Sequence, residues 1–366
     1  MPSTIFLTGF PGFLGSALAS RLLDRHDSDV TITALVQPKY RALAEARARE
    51  IEAEVDGRRG RIELVEGDIT RPDLGLGAET AAALRARTRE VYHLAAVYDL
   101  AVGRDLAHRV NVDGTRHVLA FAEGAASLRR FQYVSTCFVS GRLPGVFRES
   151  DLARGQAFNN HYEETKYLAE VEVQRAMAGG LPATVYRPAI VVGDSRTGAT
   201  QKYDGPYSLI QWMLRWPRAV PIPVVGDPER TEVNVVPQDF VVDAIDVLSA
   251  MDASEGRVYH LADPRPLTVD GMIRVLGRTT ERRPVRIPLP ERLASGALAH
   301  VPGLSEWTGI GPETLAYFTL PTRYATDHAT RDLEGTGVAC PPFASYADRL
   351  VGFVRAHPDV SAAAMV

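Results

Sequence analysis

The chain has 366 residues, of which 45% are hydrophobic and 23% are charged, and its formal net charge is -4. This composition is that of an ordinary globular protein and excludes the disordered and fibrous classes. The charge argues against binding to nucleic acid or to an anionic membrane surface, because both usually need a concentrated basic field. No apolar run reaches the roughly 20 residues of a membrane span, and the first residues lack a secretory signal pattern.

Strand-like and helical patterns alternate along the first 194 residues and return at 237–263. Strands are predicted at 4–9, 30–37, 61–69, 90–97, 130–141, 183–194 and 257–263. Helices are predicted for "SALASRLLDR" after the first strand, and for 40–55, 109–125 and 237–251. Strands that alternate with helices predict a parallel sheet covered on both faces, so we expect an α/β fold of the Rossmann type with a doubly wound sheet.

The regular alternation stops after residue 194, where prolines, aromatics and short apolar runs mix. We predict that 1–194 forms a dinucleotide-binding domain and that 237–263 returns to it. Residues 195–236 and 264–366 are predicted to form a smaller C-terminal substrate-binding lobe, with an irregular Pro-rich part over 264–345.

Two cysteines, Cys137 and Cys340, lie far apart in the chain without metal-like spacing. This pattern supports neither a disulfide framework nor a zinc site, so we expect no bound metal and a location in the reducing cytoplasm. The sequence leaves the oligomeric state open.

Three glycines in "TGFPGFLG" separate the first predicted strand from the first predicted helix. Gly9 would permit a tight turn, Gly12 would let the backbone approach a pyrophosphate, and Gly15 would let helix and strand pack closely. The following helix would offer N–H groups and a positive dipole end to phosphates. The segment therefore predicts a dinucleotide-binding turn.

The end of the second predicted strand bears on which dinucleotide is bound. It carries Gln37 rather than a carboxylate, and Lys39 and Arg41 follow. A carboxylate would repel a 2′-phosphate, so this pattern favours NADP(H), with NAD(H) possible. The two cations could instead be solvated charges at a helix start. Asp68, after the third strand, could accept a hydrogen bond from adenine or only cap a turn.

Tyr162 and Lys166 are four residues apart in "YEETK", which places both on one face of a helix. A nearby ammonium group would lower the pKa of the phenol, and such a tyrosine can deliver the proton that accompanies hydride transfer to a carbonyl. Ser135 and Thr136 of the fifth strand are expected near the carboxyl edge of the sheet, where a hydroxyl can polarise a carbonyl oxygen. By itself, the Tyr–Lys spacing also occurs by chance on many helices.

An ordered set of motifs strengthens this interpretation. It comprises the three glycines, "HLAA" (93–96), "NVDGT" (111–115), "YVST" (133–136), "YEETK" (162–166) and "YRPAIVVG" (186–193). Together these motifs resemble the extended short-chain dehydrogenase/reductases. Within them the "TGxxGFLG" turn and "YVST" are most similar to the thioester-reductase and fatty acyl-CoA reductase branch.

The resemblance implies roles for individual residues. Tyr162 would be the proton donor, Lys166 would bind the nicotinamide ribose and tune Tyr162, and Thr136 would hold the substrate oxygen. Asn111 matches a position that supports strand geometry or a proton relay, and helix capping is an equal alternative. The implied cofactor contacts are Thr8, Gly9, Gly12, Phe13, Leu14, Gly15, Gln37, Lys39, Asp68, Ile69, Leu94, Ala95, Ala96, Tyr162, Lys166, Pro188 and Ile190.

The activity implied by the resemblance is NADP(H)-dependent reduction of an acyl thioester, presented by CoA or a carrier protein, or of the derived aldehyde. A ketone or alcohol oxidoreductase of hydroxysteroid or dihydroflavonol type remains an alternative, as does a non-catalytic NAD(P)-sensing protein. Tyr98 is expected to shape substrate entry, and 195–207 to form a mobile loop in which Lys202 is a solvated lysine or meets a phosphate.

Overall fold

A central parallel sheet organises the structure, which is a computed structural model describing residues 3–54, 58–290, 317 and 319–360. The strands are β1 (Ser3–Thr8), β2 (Val30–Val36), β3 (Ile62–Glu66), β4 (Thr88–His93), β5 (Arg130–Val134), β6 (Gly145–Phe147), β7 (Ala183–Pro188), β8 (Ile190–Val192), β9 (Ala219–Val224), β10 (Glu232–Val233), β11 (Val235–Pro237), β12 (Val258–Leu261), β13 (Leu267–Thr268), β14 (Arg283–Pro288) and β15 (Thr322–Tyr324).

Helices cover the sheet and build the C-terminal part. They are α1 (Phe13–Arg25), α2 (Arg41–Ala53), α3 (Ala78–Arg87), α4 (Arg104–Ala107), α5 (Gly114–Glu123), α6 (His161–Ala178), α7 (Pro206–Leu214), α8 (Gln238–Ala250), α9 (Val269–Thr279), α10 (Asp327–Leu333) and α11 (Ala347–Ala356). Within the described ranges, no helix combines the length and apolar character needed to cross a membrane.

The main sheet has seven strands in the order β12-β7-β5-β4-β1-β2-β3, and each neighbouring pair is parallel. Strand β1 lies between β2 and β4, so the strand order reverses there. Open sheets of this kind bind ligands at the carboxyl ends of the strands beside that reversal. The predicted doubly wound Rossmann-type fold is confirmed.

Two predicted strands end earlier than expected. The fifth stops at Val134, and residues Cys137–Ser140 form a 3-10 helix that Thr136 caps by accepting from the Phe138 N–H at 3.2 Å. The sixth divides at Ala189, because β7 pairs with β12 whereas β8 pairs with β11 in a separate ribbon. Both corrections place residues of the predicted site just beyond the strand ends.

The predicted helix 109–125 is also divided. Residues His108–Asp113 form a π-helical turn, and α5 begins only at Gly114. The Asn111 side chain accepts from the Val97 N–H at 2.8 Å and donates to Thr165 Oγ1 at 3.0 Å. The helix-capping alternative for Asn111 is therefore wrong, because its side chain holds the segment after β4.

The expectation of an irregular 264–345 segment is wrong for its first part. Helix α9 is amphipathic, with Met272, Ile273 and Leu276 buried, and Thr268 caps it by accepting from the Gly271 N–H at 3.1 Å. Strand β14 then pairs in parallel with β9 over six residue pairs. Residues 291–316 of this predicted lobe lie outside the described part of the chain.

A buried ion pair joins helix α6 to the main sheet. Arg187 of β7 and Glu170 of α6 are both 0% exposed. The Arg187 Nε and Nη2 atoms donate to Glu170 Oε1 at 3.0 and 2.6 Å. The Ser135 hydroxyl donates to the other oxygen of the same carboxylate at 2.5 Å. These contacts fix α6 over the carboxyl ends of β5 and β7.

Replacement of Glu170 by alanine tests this anchor. Removal of one partner leaves the Arg187 guanidinium buried without its counter-ion, so we expect the free energy of unfolding to fall by about 3–5 kcal/mol. Urea denaturation followed by circular dichroism measures the loss. In the exposed Arg41–Glu45 pair, Glu45→Ala serves as the control and is expected to cost at most about 1 kcal/mol. Equal effects of the two substitutions would contradict the anchoring role.

Candidate active site

The glycine turn forms the floor of the site, between β1 and α1. Gly9 has a φ of 92°, and a Cβ there would lie 2.9 Å from the Ala95 nitrogen. The Gly12 N–H donates to the Gly9 carbonyl at 2.9 Å, and a Cβ on Gly12 would approach that carbonyl oxygen to 2.8 Å. A Cβ on Gly15 would overlap the same oxygen. Each of the three predicted positions therefore requires glycine.

The N-terminus of α1 suits an anion. Gly12 is its N-cap and gives no side-chain hydrogen bond, and the first turn holds no acidic residue. Within the described ranges, no side chain caps this turn, whose backbone N–H groups include those of Phe13 and Leu14. Helix N-termini of this kind favour phosphate groups.

The end of β4 lies directly beside this turn. Leu94 N–H donates to the Thr8 carbonyl at 3.3 Å, and Ala95 N–H donates to Thr8 Oγ1 at 3.2 Å. Ala95 and Ala96 are partly exposed next to the turn. The structure thus brings together these predicted cofactor residues from β1 and β4 at the reversal of strand order.

The two predicted cations after β2, Lys39 and Arg41, have different surroundings. Arg41 is engaged with protein carboxylates, since its guanidinium lies 2.7 Å from Glu45 and 3.8 Å from Glu66. Lys39 is exposed, and its Nζ lies 5.1 Å from the centre of the Tyr40 ring. Of the two predicted cations, Arg41 matches the alternative of a charge at a helix start.

Asp68 stabilises a local turn. Its Oδ1 atom accepts from the Thr70 N–H at 2.9 Å and from the Thr70 hydroxyl at 2.8 Å. The adjacent Ile69 is buried, and its side chain fills the space above Gly114 of α5. These contacts correspond to the turn-capping alternative for Asp68.

Thr136 and Tyr162 meet above the end of β5. The two hydroxyl groups are hydrogen-bonding partners, and both side chains are buried. Thr136 Oγ1 also donates to the Pro188 carbonyl at 3.4 Å. Ile190 follows in β8, where it is partly exposed. Four of the predicted site residues therefore converge where β5, β7 and α6 come together.

The prediction that the pKa of Tyr162 lies below its ordinary value is wrong in the direction of the net shift. Burial raises the pKa of the Tyr162 phenol above its ordinary value, and the hydrogen bond with Thr136 offsets this only in part. We expected the Lys166 ammonium group to lower that pKa. Desolvation dominates because the phenol is enclosed, so the neutral phenol is favoured.

Lys166 lies one turn further along α6, directed at β5. Its ammonium group donates to Tyr133 Oη at 3.0 Å and to the Val134 carbonyl at 2.8 Å. Burial lowers the pKa of Lys166 to about 7, against the opposing effect of the Glu170 carboxylate. The lysine therefore changes charge close to neutral pH.

A group of hydrogen-bonded side chains behind Lys166 could not be predicted from the sequence. His93 bridges Thr8 Oγ1 at 2.8 Å and Thr115 Oγ1 at 3.0 Å, and Thr115 is a hydrogen-bonding neighbour of Tyr133. Burial lowers the pKa of His93 to about 3, so the imidazole is neutral. The motifs "HLAA", "NVDGT" and "YVST" contain these residues, but nothing in their spacing shows that they form one chain of hydrogen bonds.

The mouth of the site is formed by Tyr98 and the segment before α7. The Tyr98 ring packs edge-on against Tyr162 with centroids 5.1 Å apart, and its hydroxyl is a partner of Asp204. Lys202 Nζ lies 3.1 Å from Asp204 Oδ2 and 4.8 Å from the Tyr98 ring centre. The expectation that Lys202 is simply solvated is therefore wrong. Asp204 carried no recognisable signal in the sequence.

The family model described as male sterility protein, an NAD-binding family, matches residues 7–245. The D subunit of linear gramicidin synthase from Brevibacillus parabrevis is 30% identical over 276 residues, which are 73% of this chain and 5% of that protein. Fatty acyl-CoA reductase wat from Drosophila melanogaster is 27% identical, over 69% of this chain and 55% of its own length.

A solved structure extends the likeness to almost the whole chain. The terminal R domain of the myxalamid PKS-NRPS biosynthetic pathway is 27% identical, with a TM-score of 0.81, and the match covers 99% of this chain and 92% of that domain. Both characterised relatives are longer than the part that this chain matches. Because the family model covers more than half of the sequence, this chain belongs to the NAD-binding male sterility protein family and has its extended short-chain dehydrogenase/reductase fold.

Proposed function

We propose that this chain catalyses the NADPH-dependent reduction of an acyl thioester, carried by CoA or by a carrier protein, to the aldehyde or onward to the alcohol. The observation that carries the proposal is the hydrogen-bonded pair of Thr136 and Tyr162, with Lys166 buried behind it, at the strand ends beside the glycine turn. The likeness to a terminal reductase domain over 99% of the chain supports this reaction class.

The residues at the reversal of strand order fit a dinucleotide. The uncapped, acid-free N-terminus of α1 would hold the pyrophosphate, and Gly12 leaves the space that a side chain would fill. Exposed Lys39 beside Gln37, with no carboxylate between β2 and α2, favours a 2′-phosphate and hence NADP(H) over NAD(H). When bound, the cofactor supplies the hydride for the carbonyl carbon.

The side chains of the site handle the carbonyl oxygen. The Thr136 hydroxyl would orient and polarise that oxygen, and the Tyr162 phenol would deliver a proton to it. Because burial favours the neutral phenol, Tyr162 holds its proton at neutral pH until negative charge develops on the substrate. Protonated Lys166 would then stabilise the phenolate. Loss of the thiol from the resulting hemithioacetal gives the aldehyde.

The substrate lobe is assigned to a hydrophobic core separate from the cores that pack on the main sheet. This core is built from α7, β9, α9 and α11, and its buried side chains include Trp212, Ile222, Leu276 and Leu350. Tyr98, Lys202 and Asp204 would line the entry between this lobe and Tyr162. Two unpaired cysteines are consistent with the predicted cytoplasmic location, which remains part of this proposal.

Substitution of Gly12 by alanine tests the cofactor site. The added Cβ would force the turn apart at the Gly9 carbonyl, so we expect NADPH affinity to fall at least about tenfold, or ~1.4 kcal/mol. Titration of NADPH fluorescence measures the affinity. The control is Gly77→Ala, at the N-cap of α3, where nothing lies within 4 Å of the added Cβ. Unchanged NADPH affinity of the Gly12 variant would show that the pyrophosphate does not bind at this turn.

Substitution of Tyr162 by phenylalanine tests the proton donor. We expect kcat with an acyl-CoA to fall by about 10²–10⁴-fold, because the phenol proton is lost while the ring remains. Binding of NADPH should stay within twofold. Tyr167→Phe, five residues further along α6, where the ring packs against Phe158, is the matched control. The wild-type protein is assayed with acyl-CoAs and with ketones, and turnover with ketones alone would overturn the thioester assignment.

The pH dependence of stability tests the state of Lys166. The folded protein holds this lysine with a pKa of about 7, below that of an unfolded lysine, so the unfolded state binds more protons between the two values. The free energy of unfolding should therefore rise between pH 7 and pH 9.5, by up to about 1.4 kcal/mol per pH unit. Lys166→Met should lose this rise in urea denaturation. Parallel curves for the two proteins would show that the lysine pKa is unshifted.

A further inference from the structure

A strongly basic groove lies on the C-terminal part of the molecule, away from the catalytic residues. It has a volume of about 1170 Å³ and is bounded by α9, the start of β9 and β14. Its charged lining consists of six arginines and one glutamate, namely Arg218, Arg274, Arg278, Arg282, Arg283, Arg286 and Glu281. We refer to this set as the arginine groove.

Half of these arginines are engaged within the protein. Arg274 and Arg286 both pair with Asp270, which is almost fully buried beneath them, and the first of these pairs measures 3.0 Å. Arg282 donates to the Trp216 carbonyl at 2.5 Å. These contacts hold the walls of the groove in place.

The other three arginines have no counter-ion among the described residues. Arg218, Arg278 and Arg283 are exposed, and within the described ranges their guanidinium groups form neither an ion pair nor a hydrogen bond. The chain as a whole carries a net charge of -4, so this cluster is a local reversal of sign. Like charges held close together repel one another, and an anionic partner would relieve that repulsion.

We propose that the arginine groove docks the acidic face of an acyl carrier protein that delivers the thioester. This inference rests on the proposed function, because it names the partner that presents the substrate. The argument for this partner is charge complementarity. Unpaired guanidinium groups on a fixed wall can bind the carboxylates of a helix bidentately. They can also steer the approach of an acidic protein.

The shape of the groove fits a macromolecule better than a small ligand. Small-molecule sites enclose roughly 300–1,000 Å³, whereas this groove is larger and open, and six arginines line it. Two apolar side chains of β14, Val285 and Ile287, are 46% and 44% exposed next to it. Such residues give a docking helix apolar contacts beside the charged ones.

The position of the groove is compatible with delivery to Tyr162. Helix α7 begins just after Asp204, which contacts Tyr98 at the mouth of the site, and ends just before the segment that leads to Arg218. Nine helical residues span about 13 Å. A long flexible pantetheine arm on a carrier bound at the groove would therefore have a separation of this order to bridge.

The test compares substrates in a variant with Arg218→Gln, Arg278→Gln and Arg283→Gln. With an acyl group on a purified acidic acyl carrier protein, we expect KM to rise at least tenfold while kcat stays within twofold. The kcat/KM for the same acyl group on N-acetylcysteamine, which has no protein, should stay within twofold. The salt dependence of kcat/KM for the carrier substrate should also weaken, because exposed charges are screened by salt.

The matched control is Arg89→Gln with Arg129→Gln, two exposed arginines at the amino ends of β4 and β5. This control should leave the KM for the carrier substrate unchanged. An equal rise with the control, or an equal rise of KM for acyl-CoA in the groove variant, would overturn docking of a carrier protein.

Fluorescence anisotropy of the labelled carrier protein measures docking without turnover. A wild-type protein that binds the carrier through the groove but reduces no thioester would contradict the proposed function alone. A wild-type protein that reduces the carrier-bound thioester as fast as the groove variant, with equal carrier affinity, would contradict the groove alone.

Discussion

The attachment of helix α6 to the ends of β5 and β7 is the contact on which the site depends. Two buried side chains one turn apart make it: Lys166 donates to the β5 backbone at Val134, and Glu170 accepts from Ser135 and Arg187. Since residues i and i+4 of a helix share a face, both contacts fix the same side of α6. Tyr162, one turn earlier, is thereby held over Thr136.

Burial, rather than the neighbouring charges, governs the titration of this site. It raises the pKa of Tyr162, which favours the neutral phenol, and lowers the pKa of Lys166 to about 7, so this lysine is partly protonated at neutral pH. His93, in the hydrogen-bonded group behind Lys166, is neutral. Such a buried site responds strongly to charge that a ligand or a developing oxyanion brings into it, because solvent screens that charge only weakly.

The sequence predicted those features of the site that depend on residues close together in the chain. The glycine turn follows from three residues within one tight loop, and the side of α6 that faces the sheet follows from the spacing of Tyr162 and Lys166. The partners across the fold could not be predicted in this way. Tyr133 and Lys166 are 33 residues apart in the chain, and Tyr98 and Asp204 are further apart still. The pKa error for Tyr162 has the same origin, since enclosure by distant segments sets its desolvation.

The proposed catalytic residues and the proposed docking groove depend on electrostatic interactions in opposite ways. The reacting side chains are buried, so dissolved ions screen their interactions weakly, and their ordering comes from hydrogen bonds with fixed partners. The arginine groove is exposed and retains unpaired charge at the surface, where attraction acts over a Debye length of about 8–10 Å and fades as salt is added. A change in ionic strength should therefore alter the rate at which the carrier protein docks, and it should leave the rate of the chemical step unchanged. This difference requires that the arginine groove and the Tyr162 phenol lie in separate parts of the fold. The pairing of β9 with β14 holds the groove, and the contact of α6 with β5 holds the phenol.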